Sequence, residues 1–459
     1  GSMNINTGCI VELDDGADGD LLVRGDLTIS SNNTNNNCGM LEFANTGTAR
    51  TVDVEGRIYA RVATDPNEPT GIRVLPGGTN VIHTLEVGED LEMGSDYSVL
   101  NFNETAKIDL VFDGAGNASF LRTNITGAAN RADFYRIIVE KNGGQSDTVS
   151  FDGVFDLDNS VADAAANADK NFVINSGIAR LNDPDIDIDL STGGGNYVIP
   201  QAGGLIIDNG ATARIENAAG EESNLELIGS LRLDGNVGGP LADRSRLLMS
   251  SADGDVSTDI VYSPTASASI AVLGDAYLSV GGQIRRQAIP PVGGLSYTQG
   301  GTSLVEIGEE INAAEPNTFV TTRGVFDQAG GAGSSFDMTG GELRILRAVP
   351  NASVAELYLQ SSTFSMTGGT VVLGDPGGMP FSPDRISVNA AVGNELFNLA
   401  VNSGLAFLEA EVAINPLVIN GDLSILGGTF STLFADNLDI SIRGNFLNEG
   451  SYTTTTNNT

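Results

Sequence analysis

Apolar residues along this chain fall on alternate positions in short runs, and Gly, Asn and Asp cut the runs off. In GDLSIL, Leu423 and Ile425 share one side while Ser424 faces the other; in YRIIVEK, Ile137 and Val139 do the same. A period of two marks a half-buried strand. Long helical periodicity is missing, and only the Ala-rich VADAAANADK at 161–170 reads as helix, in a loop insertion.

The strand-like runs repeat. An apolar residue, any residue, Gly, a small polar residue and renewed alternation recur as VRGDLTI from Val23, VEGRIYA from Val54, IGSLRLD from Ile228 and VLGDAYLSV from Val272. They return as INGDLSIL from Ile419 and IRGNFLN from Ile442. Glycine pairs form a second series, beginning at Gly281, Gly300, Gly340, Gly368 and Gly427. Their steps of 19, 40, 28 and 59 residues suit one, two, one and two turns of a coil. DFYRIIVEKNGG from Asp133 and ELFNLAVNSG from Glu395 form a third pair.

Units this short cannot bury a face alone, whereas stacked units share one core. The expected fold is all-β: a right-handed parallel β-helix, or β-solenoid, with irregular turns of roughly 20–30 residues. An array of β-sandwiches would need longer units. The solenoid is expected to run continuously over 4–450, with room for a break near 287–295 at IPPVGG, and 451–459 reads as a polar tail. Side loops are expected at 64–78, 289–294 and 374–385, where Pro and Gly keep the chain out of the ladder.

The phrases FDMTGGELRIL from Phe336 and FSMTGGTVVLG from Phe364 test this scheme. A phosphate-binding loop would run from its glycines into a helix carrying a Lys-Ser/Thr pair. Here Gly368-Gly369 run into the strand-like Thr370-Val371-Val372-Leu373. Gly340, Gly341, Gly368 and Gly369 are therefore expected at corners of the coil, with Phe336 and Met338 stacked on Phe364 and Met366 of the next turn.

Composition narrows the function. With 23 basic against 59 acidic residues and a net charge of −36, the chain is not expected to bind nucleic acid or an anionic membrane. The acidity reads as a solvated surface, or as one that binds calcium. No run approaches the ~18 apolar residues of a membrane span. Gly1-Ser2-Met3 reads as a cloning remnant and the chain as part of a longer one. Cys9 and Cys38 are 29 positions apart, about one turn. Layers ~4.8 Å apart match the Cα separation that a disulfide needs. A bridge between them would be worth roughly 3.5 kcal/mol and would imply an oxidising compartment.

FYRIIVEKNGG, VINGDLSILGGTF and SMTGGTVVLG resemble the repetitive, Asn/Gly/Thr-rich segments of large secreted and surface proteins of Bacteroidetes-type bacteria. They are also similar to the β-helical passenger repeats of autotransporter adhesins. The resemblance implies a secreted or cell-surface location and a role as adhesin or adhesin stalk.

Candidate chemistry is sparse. His83 lies in the alternating NVIHTLEV with no GxSxG elbow beside it, so it is expected as a partly exposed strand residue. Zinc is poorly served by one His and two paired Cys. Calcium suits Asp14, Asp15, Asp18 and Asp20 in DDGADGD, and Asp185, Asp187 and Asp189 on one face of DPDIDIDL. For these the competing readings are an acidic turn and a solvated strand face. No catalytic residue is assigned. Arg24-Gly25-Asp26 spells an integrin tripeptide but sits inside the recurring turn phrase. The expected function is a non-enzymatic surface adhesin or stalk that contacts glycans or another cell through loops or a sheet face. The alternative is a polysaccharide lyase or glycoside hydrolase on the same scaffold. The absence of Trp for sugar stacking leans away from that alternative.

Overall fold

Alternation with a period of two buries one face of each strand, and the chain satisfies the backbone by pairing each strand with its counterpart one turn later. A computed structural model describes residues 1–13, 19–30, 39–44, 47–61, 70–75, 81–94, 98–102, 107–123, 132–157, 170–190, 195–217, 223–235, 240–251, 258–263, 266–287, 293–311, 320–349, 354–375, 385–408, 416–431 and 439–453. These residues form a parallel β-solenoid in two units, 1–193 with 202–211 and 194–201 with 212–459.

In the first unit a turn is three strands, for example Thr51–Val54, Ile58–Ala60 and Thr70–Val74. Each pairs in parallel with the turns before and after it. Identical register stacks like on like. Leu27, Ile58, Leu91, Phe120, Phe151, Leu181 and Ile207 occupy successive partner positions and all are fully buried. Burying one such Leu or Phe is worth ~1.5–3 kcal/mol, so the continuous column is the main apolar support of the stack. In the second unit Tyr197, Leu225, Ile260, Ile284, Phe326, Leu357 and Val388 form the equivalent column.

The MTGG corners are neighbours as expected. Ser335–Ile345 and Thr363–Leu373 pair in parallel, placing Phe336 beside Phe364 and Met338 beside Met366. The two phenyl rings stack 4.9 Å apart at 7°. Inside each strand the inward phase reverses: Met338 and Leu343 are both buried though five positions apart, as are Met366 and Val371. A straight strand would put such residues on opposite faces. The reversal needs a left-handed residue, supplied by Gly341 at φ +80° and Gly369 at φ +79°. The same spacing recurs at Ile174 and Ala179 around Gly177, and at Ile425 and Phe430 around Gly428.

A second device explains the wealth of Asn and Asp. At corners, a side-chain oxygen of one turn accepts a backbone N–H of the next. Asn196 Oδ1 accepts from Asn224, Asn224 Oδ1 from Asp259, and Asp259 Oδ1 from Gln283, at 3.1, 2.8 and 2.7 Å. Asn398 and Asp422 do the same for Asp422 and Asn445 at 2.8 and 2.7 Å. In the first unit Asp26 Oδ1 accepts from Arg57 at 3.1 Å, so the Asp of Arg-Gly-Asp is a layer-to-layer tie.

Several expectations change. Turns span from 20 residues (Arg385 to its partner Leu405) to 42 (Ile284 to Phe326), a wider range than expected. The 40-residue step from Gly300 to Gly340 is one long turn, because Gln299 pairs with Met338. Gly281 is followed one turn later by Gly308 rather than by Gly300, since Val280 pairs with Ile307. Gly427 pairs with Asn402 instead of repeating the Gly368 corner. Ladders continue across the proposed break near 287–295, where Ala268–Leu273 pairs with Leu295–Gln299. Ser451–Thr453, expected as tail, pairs with Thr429–Ser431. The first strand, Met3–Ile5, begins one residue before the expected start of the solenoid at residue 4. Of the expected side loop 64–78, Thr70–Val74 is a strand. The helix expected at 161–170 lies outside the described residues except Lys170, which is buried.

Candidate functional site

The carboxyl groups whose environment shifts them most are set by the stack itself. In the second unit the strand Phe326–Gln328 carries Asp327, whose side chain has no solvent exposure. Arg286 Nε lies 3.0 Å and Arg323 Nε 3.7 Å from Asp327 Oδ2. Burial pushes the carboxyl up to about 6, against the pull of both guanidinium groups. Tyr262 donates to the Asp327 carbonyl at 2.8 Å and accepts the Ala329 N–H at 3.3 Å, fixing the strand from inside. Arg285, next to Arg286, is committed to Asp259 at 2.6 Å. The guanidinium carbon of Arg286 lies 5.4 Å from the centre of the Tyr358 ring.

Glu310 is the second shifted group. It follows the strand Leu304–Ile307 and reaches back across Gly281 to the end of Arg246–Ser251. Its Oε1 accepts the Ser251 N–H at 2.5 Å, and a Cβ on residue 281 would lie 2.0 Å from its Oε2. Glycine at 281 is what lets the carboxylate pass. Burial raises Glu310 to about 7, and the neighbouring Glu309 adds to the rise. A carboxyl that titrates near neutrality is what general acid–base chemistry requires, and also what a buried structural tie produces.

In the first unit, Asp53 and Glu86 occupy partner positions on adjacent turns. Burial raises both, and Asp113 adds to the rise in each case. Lys141 is buried nearby, with Nζ donating to the Gly88 carbonyl at 3.0 Å; burial lowers its pKa against the pull of Asp113 and Asp147. Sequence reading missed this acidic face. Its signal was the recurrence of VDVEG and LEVGED one turn apart.

The residues singled out from the sequence fare unevenly. His83 is fully buried rather than partly exposed. Its Nδ1 accepts the Arg50 N–H at 3.1 Å and its ring lies 4.9 Å from Phe43, so it is a neutral core residue whose pKa is lowered by burial. Asp20 Oδ1 accepts the Thr51 N–H at 2.8 Å, while Asp14, Asp15 and Asp18 lie outside the described residues. Ile186, Ile188 and Leu190 are buried, and Asp185, Asp187 and Asp189 alternate with them on the outer face. Among the described residues, no three His, Cys, Asp or Glu side chains converge closely enough to hold a metal ion. Cys9 is exposed and precedes Ile10, the partner of Met40; Cys38 lies outside the described residues. Gly340, Gly341, Gly368 and Gly369 are corner residues, as their strands require.

Comparison of the chain with protein-family models, with characterised proteins and with solved structures returns no match.

Proposed function

We propose that the chain is a non-enzymatic bacterial surface or secreted adhesin, or the stalk that carries one, with glycans or a neighbouring cell surface as its partner. The observation that carries this reading is how the polar side chains are used. Glu42 faces Arg73, Asp109 faces Arg136 and Glu306 faces Arg344 at directly opposed positions of adjacent turns, and each pair is ion-paired. Arg136 binds both oxygens of the nearly buried Asp109, at 2.8 and 2.5 Å. With the Asn/Asp ties, this chemistry holds turns together, which is what a long display scaffold needs. Contact with a partner falls to the side loops or an outer sheet face. The excess of 59 acidic over 23 basic residues speaks against nucleic acid as that partner.

Secretion, a Cys9–Cys38 bridge and bound calcium belong to the same reading. Mass spectrometry without reductant tests the bridge, and two free thiols would remove it. The competing reading, a polysaccharide-degrading enzyme, draws on Glu310, whose pKa near 7 would suit a general acid. A glycan array tests the main reading: saturable binding is expected, and binding to no glycan or cell surface would discard the adhesin role.

A further inference from the structure

Three Asn-Gly pairs lie in the chain, Asn142-Gly143, Asn209-Gly210 and Asn420-Gly421. Such a pair is chemically reactive, because glycine has no Cβ to hinder its backbone nitrogen from reaching the asparagine Cγ. Each lies in a turn or bend next to a strand. The dipeptide is the same in all three, and what differs is how the fold holds it.

Asn420 is held at both ends of its amide. Its Nδ2 donates to Glu395 Oε2 at 2.9 Å, and its Oδ1 accepts from Arg443 Nη1. The Gly421 N–H donates to the Phe397 carbonyl at 2.6 Å. Asn209 is held by its backbone. With φ +52° there and +85° at Gly210, both residues are left-handed. The Asn209 N–H donates to Asp208 Oδ1 at 2.7 Å, its Nδ2 to the Asn182 carbonyl at 3.3 Å, and the Ala211 N–H closes the turn on the Asp208 carbonyl at 3.0 Å. Bringing the buried Gly210 nitrogen onto the Asn209 Cγ would open that turn. Asn142 and Gly143, by contrast, are both exposed. Their turn is closed by a longer bond, from the Gly144 N–H to the Lys141 carbonyl at 3.3 Å. The Gly143 N–H donates to Asp147 Oδ2 at 2.9 Å, so a carboxylate already sits on the proton that this nitrogen must lose.

We propose that Asn142 is a site of spontaneous deamidation in the folded chain, and that the fold holds Asn209 and Asn420 back from the same reaction. The Gly143 nitrogen bonds to the Asn142 Cγ while its proton passes through Asp147 to solvent. The Cγ–Nδ2 bond breaks, and Nδ2 leaves as ammonia with a proton taken from water. The succinimide that results is opened by water at either carbonyl, giving aspartate or isoaspartate. No oxidant, reductant or other protein takes part. Each event adds one negative charge to a chain that carries −36, and the isoaspartyl product adds one main-chain carbon to the corner beside Lys141.

The test ages the whole chain in neutral buffer, folded in one arm and unfolded in guanidinium chloride in the other. Peptide mass spectrometry follows the deamidation mass gain at each of the three asparagines, and isoaspartyl methyltransferase labelling identifies the isoaspartate. Losing one hydrogen bond to a charged group corresponds to about tenfold in rate, so Asn142 is expected to react at least about tenfold faster than Asn420 in the folded chain. Asn209 is expected to lag behind Asn142 as well. In the unfolded chain the three rates are expected to converge. A folded chain in which Asn142 stays unmodified, or reacts no faster than Asn209 or Asn420, would overturn the proposal. A preference for Asn142 that persists unchanged in the unfolded chain would overturn it too, because neighbouring sequence and not the fold would then set the order.

Discussion

Replacing Gly341 by Ala tests why the corners read as they do. Gly341 has φ +80°, and an added Cβ would lie 2.5 Å from the Ser303 carbonyl oxygen and 2.7 Å from the Ser303 hydroxyl. The left-handed backbone costs a side chain roughly 1–2 kcal/mol. The close approach adds an overpacking cost of about 1–3 kcal/mol, because the nearest atom is backbone of the turn below and cannot rotate away. The sum is on the order of 3 kcal/mol. Gly393→Ala is the matched control: φ is +90° and nothing lies within 4 Å of the added Cβ, so only the backbone cost of about 1–2 kcal/mol applies. A stack of turns can open locally, so thermal melts should be read with hydrogen exchange over 335–345. Faster exchange at Phe336 and Met338 in Gly341→Ala than in Gly393→Ala is expected. If the two substitutions cost the same, stacking of one corner on another is not what requires glycine there.

Removing Asp422 as an acceptor by Asp422→Ala should cost about 1 kcal/mol, and Asp422→Asn should restore most of it, because only the Oδ1 acceptor for the Asn445 N–H matters; equal loss in both variants would show that charge, not the tie, was at work. Glu310 has a folded pKa near 7, above its ordinary 4.5, so its contribution to stability is fully present below pH 4.5 and is lost as pH rises through 7. The melting temperature of wild type should therefore fall relative to Glu310→Gln between pH 4.5 and 8, and a constant difference would contradict the buried position given to the carboxyl. If DDGADGD or the Asp185, Asp187 and Asp189 face holds calcium, adding calcium should raise the melting temperature and EDTA should lower it; no change with either discards structural calcium.

The solenoid and its corners were legible because they depend on local rules. DIDIDL alternates as its apolar residues require, and MTGG stacks on MTGG because identical phrases prefer identical positions. Turn length was less legible. A side loop between two strands changes the sequence distance without changing the layer, so the 40 residues from Gly300 to Gly340 resemble two turns and are one. Burial of His83 was hidden for another reason. Its alternating neighbours fix its inward phase, but only the Phe43 ring, on a strand of another ladder, reveals that an imidazole can be covered there. The charged group at Asp327 could not be read at all, since Arg285 meets Asp259, and Arg286 meets Asp327, across turns of unequal length.

The reading as a non-enzymatic surface protein is tested most directly by incubating the chain with a panel of acidic and neutral polysaccharides and following binding, reducing ends and unsaturated sugar products over time. Saturable binding with no product is the expected result. Release of product that disappears in Glu310→Gln would contradict the account and make the solenoid a polysaccharide-degrading enzyme.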